Sequence, residues 1–476
     1  MMSSWVRTGS VALAVSLAAC SLHSVERDPK PPVAVPDRWT AATANAAALP
    51  DRWWQSFGDP ELDRLIDEVL GTNLQLRAAW ARVRQARSLV RIAGAAQFPQ
   101  LDVTAQGARA RQRFEITEGM VFTPEVNSFQ LSIAAAYEVD LWKRIGSAKA
   151  AAALDALAVR DDAEAIATSL AAEVAEAWFD VVATKAQQQI LREQQKINDT
   201  FLELTLLRFR QGSATALDVF QQRQQALATR ALIEQADGVL RTSGARLAVL
   251  RGGDPADRRW IDAAPAALPD PSETPAVGIP ADLLVRRPDV RAARRRAEAA
   301  DHRIAVAIAE RLPALRIGGS GGFASSKITD LFDGIIYNIF AQVAQSIIDG
   351  GRRAAEVERT RDVVDERLYQ LAQALVVAIA EVDQAIGDET TRRIEIATFG
   401  ERRRLAAETL VEAREFYAQG QVDYLTVLTA LASTQSLELQ ELQARRALLS
   451  ARIRLCRALG GSWTTGLAVP ARAERK

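Results

Sequence analysis

The chain has 476 residues, with 59 Lys+Arg against 59 Asp+Glu, so its formal charge is zero and nothing in the balance favours nucleic acid or an acidic partner. Hydrophobic residues make up 48%, enough for a large buried surface, while aromatics at 6% suit long Ala-rich helices better than an enzyme core. The two cysteines, Cys20 and Cys456, are too few and too far apart for a disulfide framework or a zinc site.

Residues 1–19 read as a signal peptide: Arg7, the short apolar run VALAVSLAA, then the small residues Ala18 and Ala19 at a cleavage point. Beyond the first 20 residues no apolar run reaches the 18 or so needed for a membrane-spanning helix. LAAC resembles a bacterial lipobox, in which Cys20 becomes the acylated first residue of the mature chain. By the same resemblance, Ser21 implies sorting to the outer membrane. An ordinary signal peptide with a chance cysteine is the alternative. Residues 20–50 include the Pro-rich stretch DPKPPVAVPDRW (28–39) and are expected to form a lipid-anchored, extended tether.

The rest of the chain repeats itself. FRQGSATALDVF (209–220) and YAQGQVDYLTVL (417–428) align at a shift of 208 residues, which runs on without a gap to the pairs Gly252-Gly253 and Gly460-Gly461. FPQL (98–101) and LPAL (312–315) align at 214, so the first copy holds a six-residue excess between Pro99 and its long helix. The first repeat is 51–253: a helix, a β-hairpin at about 100–140, a long helix over 144–210 and a return helix over 213–251. A linker at 254–283 follows. The second repeat, 284–461, has its hairpin at about 314–349, its long helix over 352–418 and its return helix over 421–459. Residues 462–476 are a C-terminal tail.

Neither long stretch contains a proline, and sixty-odd helical residues span about 100 Å, which no compact domain needs. Ala163, Ile166, Leu170, Val174, Ala177 and Val181 step by three or four, as a coiled-coil seam does. The strands alternate at period 2. In 129–140, Phe129, Leu131, Ile133, Ala135, Tyr137 and Val139 point one way, and Gln130, Ser132, Glu138 and Asp140 the other. Strands of that length with one apolar and one polar face fit a transmembrane β-barrel with a wet interior, a soluble sandwich being the alternative. Four strands cannot close a barrel, and open edges are not viable in lipid, so several copies must share one.

WWQSFGDPELDRLIDEVL (53–70), YEVDLW (137–142), GIPADLLVRRPDVRAAR (278–294), IIDGGRRAA (347–355) and the turn motifs LRFRQG (207–212) and EFYAQG (415–420) resemble the TolC-like outer-membrane efflux proteins. The lipobox points to their NodT-type lipoprotein branch. The resemblance spans about 20–462. It implies an α+β membrane protein in which antiparallel coiled-coil helices form a periplasmic α-barrel and three chains share a 12-stranded transmembrane β-barrel. It also implies no enzyme and no cofactor beyond a covalent lipid on Cys20. The partners implied are an adaptor protein and an inner-membrane transporter, often of the resistance–nodulation–division type. The function implied is a passive exit duct for small molecules such as drugs, with a protein-secretion duct or a periplasmic scaffold as alternatives.

The same resemblance makes the turns adaptor-docking tips, carried by Arg208, Gln211, Gly212, Gln419 and Gly420. It makes Asp423, Tyr424, Leu425 and Thr429 a periplasmic gate, in which a Leu ring closes by apolar contact and an Asp ring favours cations. Thr429 stands where relatives usually carry Asp. Plain helical hairpin turns and a coiled-coil seam are the bland readings of these residues.

Two further motifs are discounted. RRPDVRAARRR (286–296) is read as a solvated helix face rather than a nucleic-acid site. GGSGG (318–322) matches a hydrolase nucleophile pattern but falls in a strand, with no histidine after it, and is read as small residues at a strand crossing.

Overall fold

A computed structural model describes residues 23–40, 51–117, 120–270 and 275–470, so Cys20 and the signal peptide lie outside the described residues. The chain forms two compact units, one of Met1–Pro32, Arg82–Val159 and Ala292–Ala372, the other of Val33–Ala81, Arg160–Arg291 and Gln373–Lys476.

Helices α1 (Pro60–Thr72) and α2 (Leu74–Ala95) lead to strand β1 (Gln100–Arg111), a small hairpin of β2 (Phe114–Thr117) and β3 (Met120–Phe122), and β4 (Glu125–Val139). Then come α3 (Arg144–Arg210), α4 (Ala216–Arg251), α5 (Arg259–Ala263), α6 (Leu283–Arg286) and α7 (Pro288–Ala309). Strands β5 (Ala314–Ser325) and β6 (Ile335–Ala344) and helices α8 (Arg352–Ala418) and α9 (Tyr424–Leu459) complete the order. Equal lengths recur: 22 residues in α2 and α7, 67 in α3 and α8, 36 in α4 and α9. The β2–β3 hairpin has no counterpart between β5 and β6: 13 residues separate β1 from β4 and 9 separate β5 from β6, so four of the six extra residues sit there and two between the start of β4 and α3. Among the described residues no helix is long and apolar enough to cross a membrane.

In the first unit β1, β4, β5 and β6 make one antiparallel sheet in the order β1-β4-β5-β6. Its register carries the meaning of the strands. Val103 faces Ile133, Ile133 faces Gly321, and Gly321 faces Tyr337. Leu101, Ala135, Gly319 and Ile339 form a parallel row. Because side chains alternate, these rows lie on one face, and a slip of one residue would mix them with the polar face. The opposite face carries Asp102, Thr104, Ser132, Glu138 and Arg316, with Thr104 and Ser132 hydroxyls 2.8 Å apart. The apolar face is bare: Val103, Ile133, Ile339 and Val343 are all exposed. Phe98, Phe122, Phe332 and Tyr337 near the strand ends are exposed as well. β1 and β6 are the outer strands, and among the described residues neither has a partner on its outer edge.

The glycines of β5 are explained by close approach. A Cβ at Gly322 would run into the carbonyl oxygen of Leu131 and Ser132, and one at Gly318 would meet the Ala135 oxygen and the Phe340 ring. At these two positions β5 therefore lies against its neighbours more tightly than a side chain allows.

The second unit is held by an aromatic core. Trp53, Trp54 and Phe57 are buried in a short 3-10 turn, with Trp54 edge-on to Trp463 at 4.9 Å and Phe57 against Phe179 at 5.1 Å. Asp59 caps α1 by accepting from the Glu61 and Leu62 amides and also accepts from Trp178 Nε1 at 2.7 Å. The segment after α9 is packed through Trp463 and Thr464 rather than trailing free. Trp39 of the proposed tether is also buried, its Nε1 donating to the Gly278 oxygen at 2.9 Å. Cys456 is fully buried, and burial pushes its thiol up to about 12, in keeping with a small core residue.

The basic run at 286–296 corrects the expectation of a solvated face. Arg287 and Arg291 are buried. Arg287 donates to Glu381 at 2.6 Å, to Asp289 at 2.7 Å and to the Ala458 oxygen. Arg291 pairs with Asp161 at 3.1 Å and with Glu164, which also accepts from the Thr464 hydroxyl. A buried guanidinium is tolerated only when several acceptors meet it, and here the acceptors come from α3, α7, α8 and α9.

Candidate functional site

The two turns that join α3 to α4 and α8 to α9 are built alike, both in the second unit. Each long helix ends on a glycine with φ of +74°, Gly212 and Gly420, the left-handed conformation that a side chain resists. The amide after each glycine reaches back to the helix: Ser213 N donates to Arg208 O at 2.8 Å and Gln421 N to Phe416 O at 2.9 Å. Each return helix then starts on a side-chain cap, three residues later than its sequence pattern suggested. Thr215 and Asp218 form a reciprocal capping box. In the second turn the Asp423 carboxylate accepts from the Thr426 amide at 3.0 Å and from its hydroxyl at 2.8 Å. Residues 213–215 and 421–423 are therefore turn and cap.

Arg208 lies over the Tyr417 ring at 4.4 Å, and Tyr417 lies 5.6 Å from the Tyr424 ring. These contacts tie the two turns together. At the 208-residue shift Arg208 corresponds to Phe416, so only one turn carries the arginine. Gln211 is exposed, and Gln419 accepts from the exposed Gln421 amide group at 2.8 Å. Both amides remain at the surface of the turns.

The residues expected at the gate separate into three roles. Leu425 is 51% exposed, and Thr429, one turn on, is exposed too, its hydroxyl donating to the Leu425 oxygen at 2.8 Å. Asp423 is exposed but occupied as a helix cap, and the Thr426 hydrogen bonds hold its carboxyl below the usual value. Tyr424 turns inward, buried, with its hydroxyl donating to Gln222 Oε1 at 2.7 Å. Burial raises its pKa.

Behind Tyr424 lies a buried layer of amides that sequence reasoning missed. Gln222 donates to the Asn198 backbone oxygen at 2.9 Å. Asn198 donates to the Thr229 hydroxyl at 2.8 Å, and Gln435 donates to Asn198 Oδ1 at 3.0 Å. Gln225 and Gln194 also reach Gln435. The layer joins α3, α4 and α9, and such a satisfied layer fixes helix register, since any slip would leave buried amides unpaired. The signal was present in the spacing of Gln222, Gln225 and Thr229, which places polar residues at seam intervals.

The sequence profile of the family described as "Outer membrane efflux protein" matches residues 65–253 and 279–461. The pyoverdine export outer membrane protein OpmQ of Pseudomonas putida is 31% identical, over 95% of this chain and 96% of that protein. The outer membrane protein OprJ of Pseudomonas aeruginosa is 30% identical, over 96% of each. The solved structure of the outer-membrane channel OprN superposes with a TM-score of 0.86 at 25% identity, covering 94% of this chain and 100% of that one.

Proposed function

The chain belongs to the outer membrane efflux protein family, and from that premise we propose that it is the outer-membrane channel of a tripartite pump, a passive exit duct for small molecules. The observation that carries the reading is the sheet: one face has an apolar band with exposed residues such as Val103, Ile133 and Ile339, the other is polar, and among the described residues the outer edges of β1 and β6 have no partner. An apolar face with open edges is stable in lipid only when the edges are closed by further strands. Three copies, each adding four strands, close a 12-stranded barrel with the polar faces inside. Leu425 lines the narrowest part of the helical tunnel. The paired turns around Arg208, Gln211, Gly212, Gln419 and Gly420 receive a periplasmic adaptor, which links the channel to an inner-membrane transporter of the resistance–nodulation–division type. Acylation of Cys20 anchors the N-terminus and acts on sorting more than on pore structure, because the barrel already holds the protein in the membrane.

Single-channel conductance of the purified protein in a planar bilayer tests this. Small, mostly closed currents that grow on Leu425→Ser are expected. Steady currents unchanged by the substitution would remove Leu425 from the gate. The absence of current from assembled, inserted protein would overturn the channel itself.

A further inference from the structure

We infer that the outward face of the sheet, at the end where β1 and β4 approach their connecting hairpin, binds phosphate groups of lipid headgroups through Arg109 and Arg111. The inference rests on the membrane-spanning reading of the sheet and goes beyond it.

On β1 the apolar face is carried by Leu101, Val103 and Ala105, and Gly107 is the last small residue on it. The next two positions on that face are Arg109 and Arg111, both exposed, with side chains 70% and 69% accessible. The register places Gly107 beside Phe129, Arg109 beside Asn127 and Arg111 beside Glu125. From Val139 to Phe129 the apolar face of β4 is therefore about 34 Å along the strand and, at a tilt of about 40°, about 25 Å high, the height of an outer-membrane barrel's apolar band. Two and four residues past Gly107, the arginines stand about 5 and 10 Å above the edge of that band. Arg109 thus stands within the polar headgroups, which add roughly 5–8 Å on each side of the hydrocarbon, and Arg111 just beyond their outer edge, within reach of them through its long side chain.

The charge balance at that level leaves donors free. Glu125 is the one carboxylate that β1 and β4 place on this stretch of the face, and both arginines share it, Arg109 in direct contact and Arg111 at 3.8 Å. Arg113, also exposed, follows two residues later. A guanidinium presents its N–H groups in a planar fork that matches two phosphate oxygens, and a carboxylate shared by two such forks cannot occupy both. A lipid with phosphate monoesters at the top of its acyl chains would satisfy the acyl contacts on Phe129 and Leu131 and the arginines above them together.

The test uses full-length, assembled protein that conducts in a bilayer. In detergent it is titrated with lipid A bearing two phosphates, with zwitterionic phosphatidylcholine, and with inorganic phosphate. Saturable lipid A binding is expected, with little competition from inorganic phosphate. The double variant R109Q/R111Q should weaken it about 25-fold, at roughly fivefold per arginine. E125Q should tighten it, because it frees both forks.

Equal binding of phosphatidylcholine, displacement by inorganic phosphate at similar concentrations, or unchanged affinity in R109Q/R111Q would overturn the inference. So would an E125Q variant that binds no more tightly while R109Q/R111Q falls apart into single chains. That outcome would assign the arginines to contacts between copies. Because conducting protein is used, any of these failures leaves the channel reading standing.

Discussion

The Arg208 guanidinium carbon sits 4.4 Å above the centre of the Tyr417 ring, joining the last turn of α3 to the last turn of α8. The two turns are thus one structural unit, and Arg208 is an internal strut between them. A double-mutant cycle of Arg208→Gln and Tyr417→Leu, read from nicking of the turns by a protease, should give a coupling of about 0.5–1 kcal/mol. Strictly additive effects would mean that the stacking contributes nothing.

Arg291 makes a sharper prediction for stability. Its removal in Arg291→Ala leaves the buried carboxylates Asp161 and Glu164 without their main counter-charge. The expected cost is about 3–5 kcal/mol, measured by denaturant unfolding. Arg294→Gln loses only the exposed pair with Asp28 and should cost less than about 1 kcal/mol. Similar losses in the two variants would refute the buried-pair account.

The neighbouring glycines of β5 should behave oppositely. Gly322→Val drives a side chain into the backbone of β4, whereas nothing lies within 4 Å of a Cβ at Gly321, on the opposite, apolar face. Gly322→Val should abolish recovery of assembled protein from the outer-membrane fraction, and Gly321→Val should leave it near wild type. Equal recovery would show that β4 and β5 are not held at this separation.

Asp423 predicts an acid-sensitive cap. The Thr426 hydroxyl and amide favour its charged form, so its native pKa lies below the ordinary 3.8. Its contribution is complete above about pH 3.8 and is lost as the pH falls through the native value. Hydrogen-exchange protection at amides 424–427, corrected for intrinsic rates, should fall between about pH 4 and 2. Asp423→Asn keeps an accepting oxygen and should flatten that limb. An unchanged pH profile in this variant would place the sensitivity elsewhere.

Much of the fold was legible because its signals are local. Period-2 alternation in 129–140 identified the face that the register later confirmed, since alternation follows from strand geometry alone. The turns at Gly212 and Gly420 were legible because a left-handed residue at a helix end demands glycine. The basic run misled for the opposite reason. Nothing within residues 286–296 announces that Asp161, Glu164 and Glu381, all 90 or more residues away, will meet it. Tyr424 was grouped with its neighbours Asp423 and Leu425, but adjacent residues on a helix point about 100° apart, so one is buried while the next is exposed.

By itself the sequence determined the doubled architecture, the lengths of the long helices, the two faces of the strands and the family. Each is written in spacing that a chain of L-residues can satisfy in few ways. Only the tertiary structure decided which arginines carry charge into the core and which residues of the turn are strut, cap or exposed. It also decided that Asn198, Gln222 and Gln435 close one amide layer, and that Arg109 and Arg111 continue the face of the sheet that carries Leu101 and Val103. Those outcomes depend on partners far away in sequence. Burial rewards a charge or an amide only when its particular acceptors arrive, and no local pattern records their arrival.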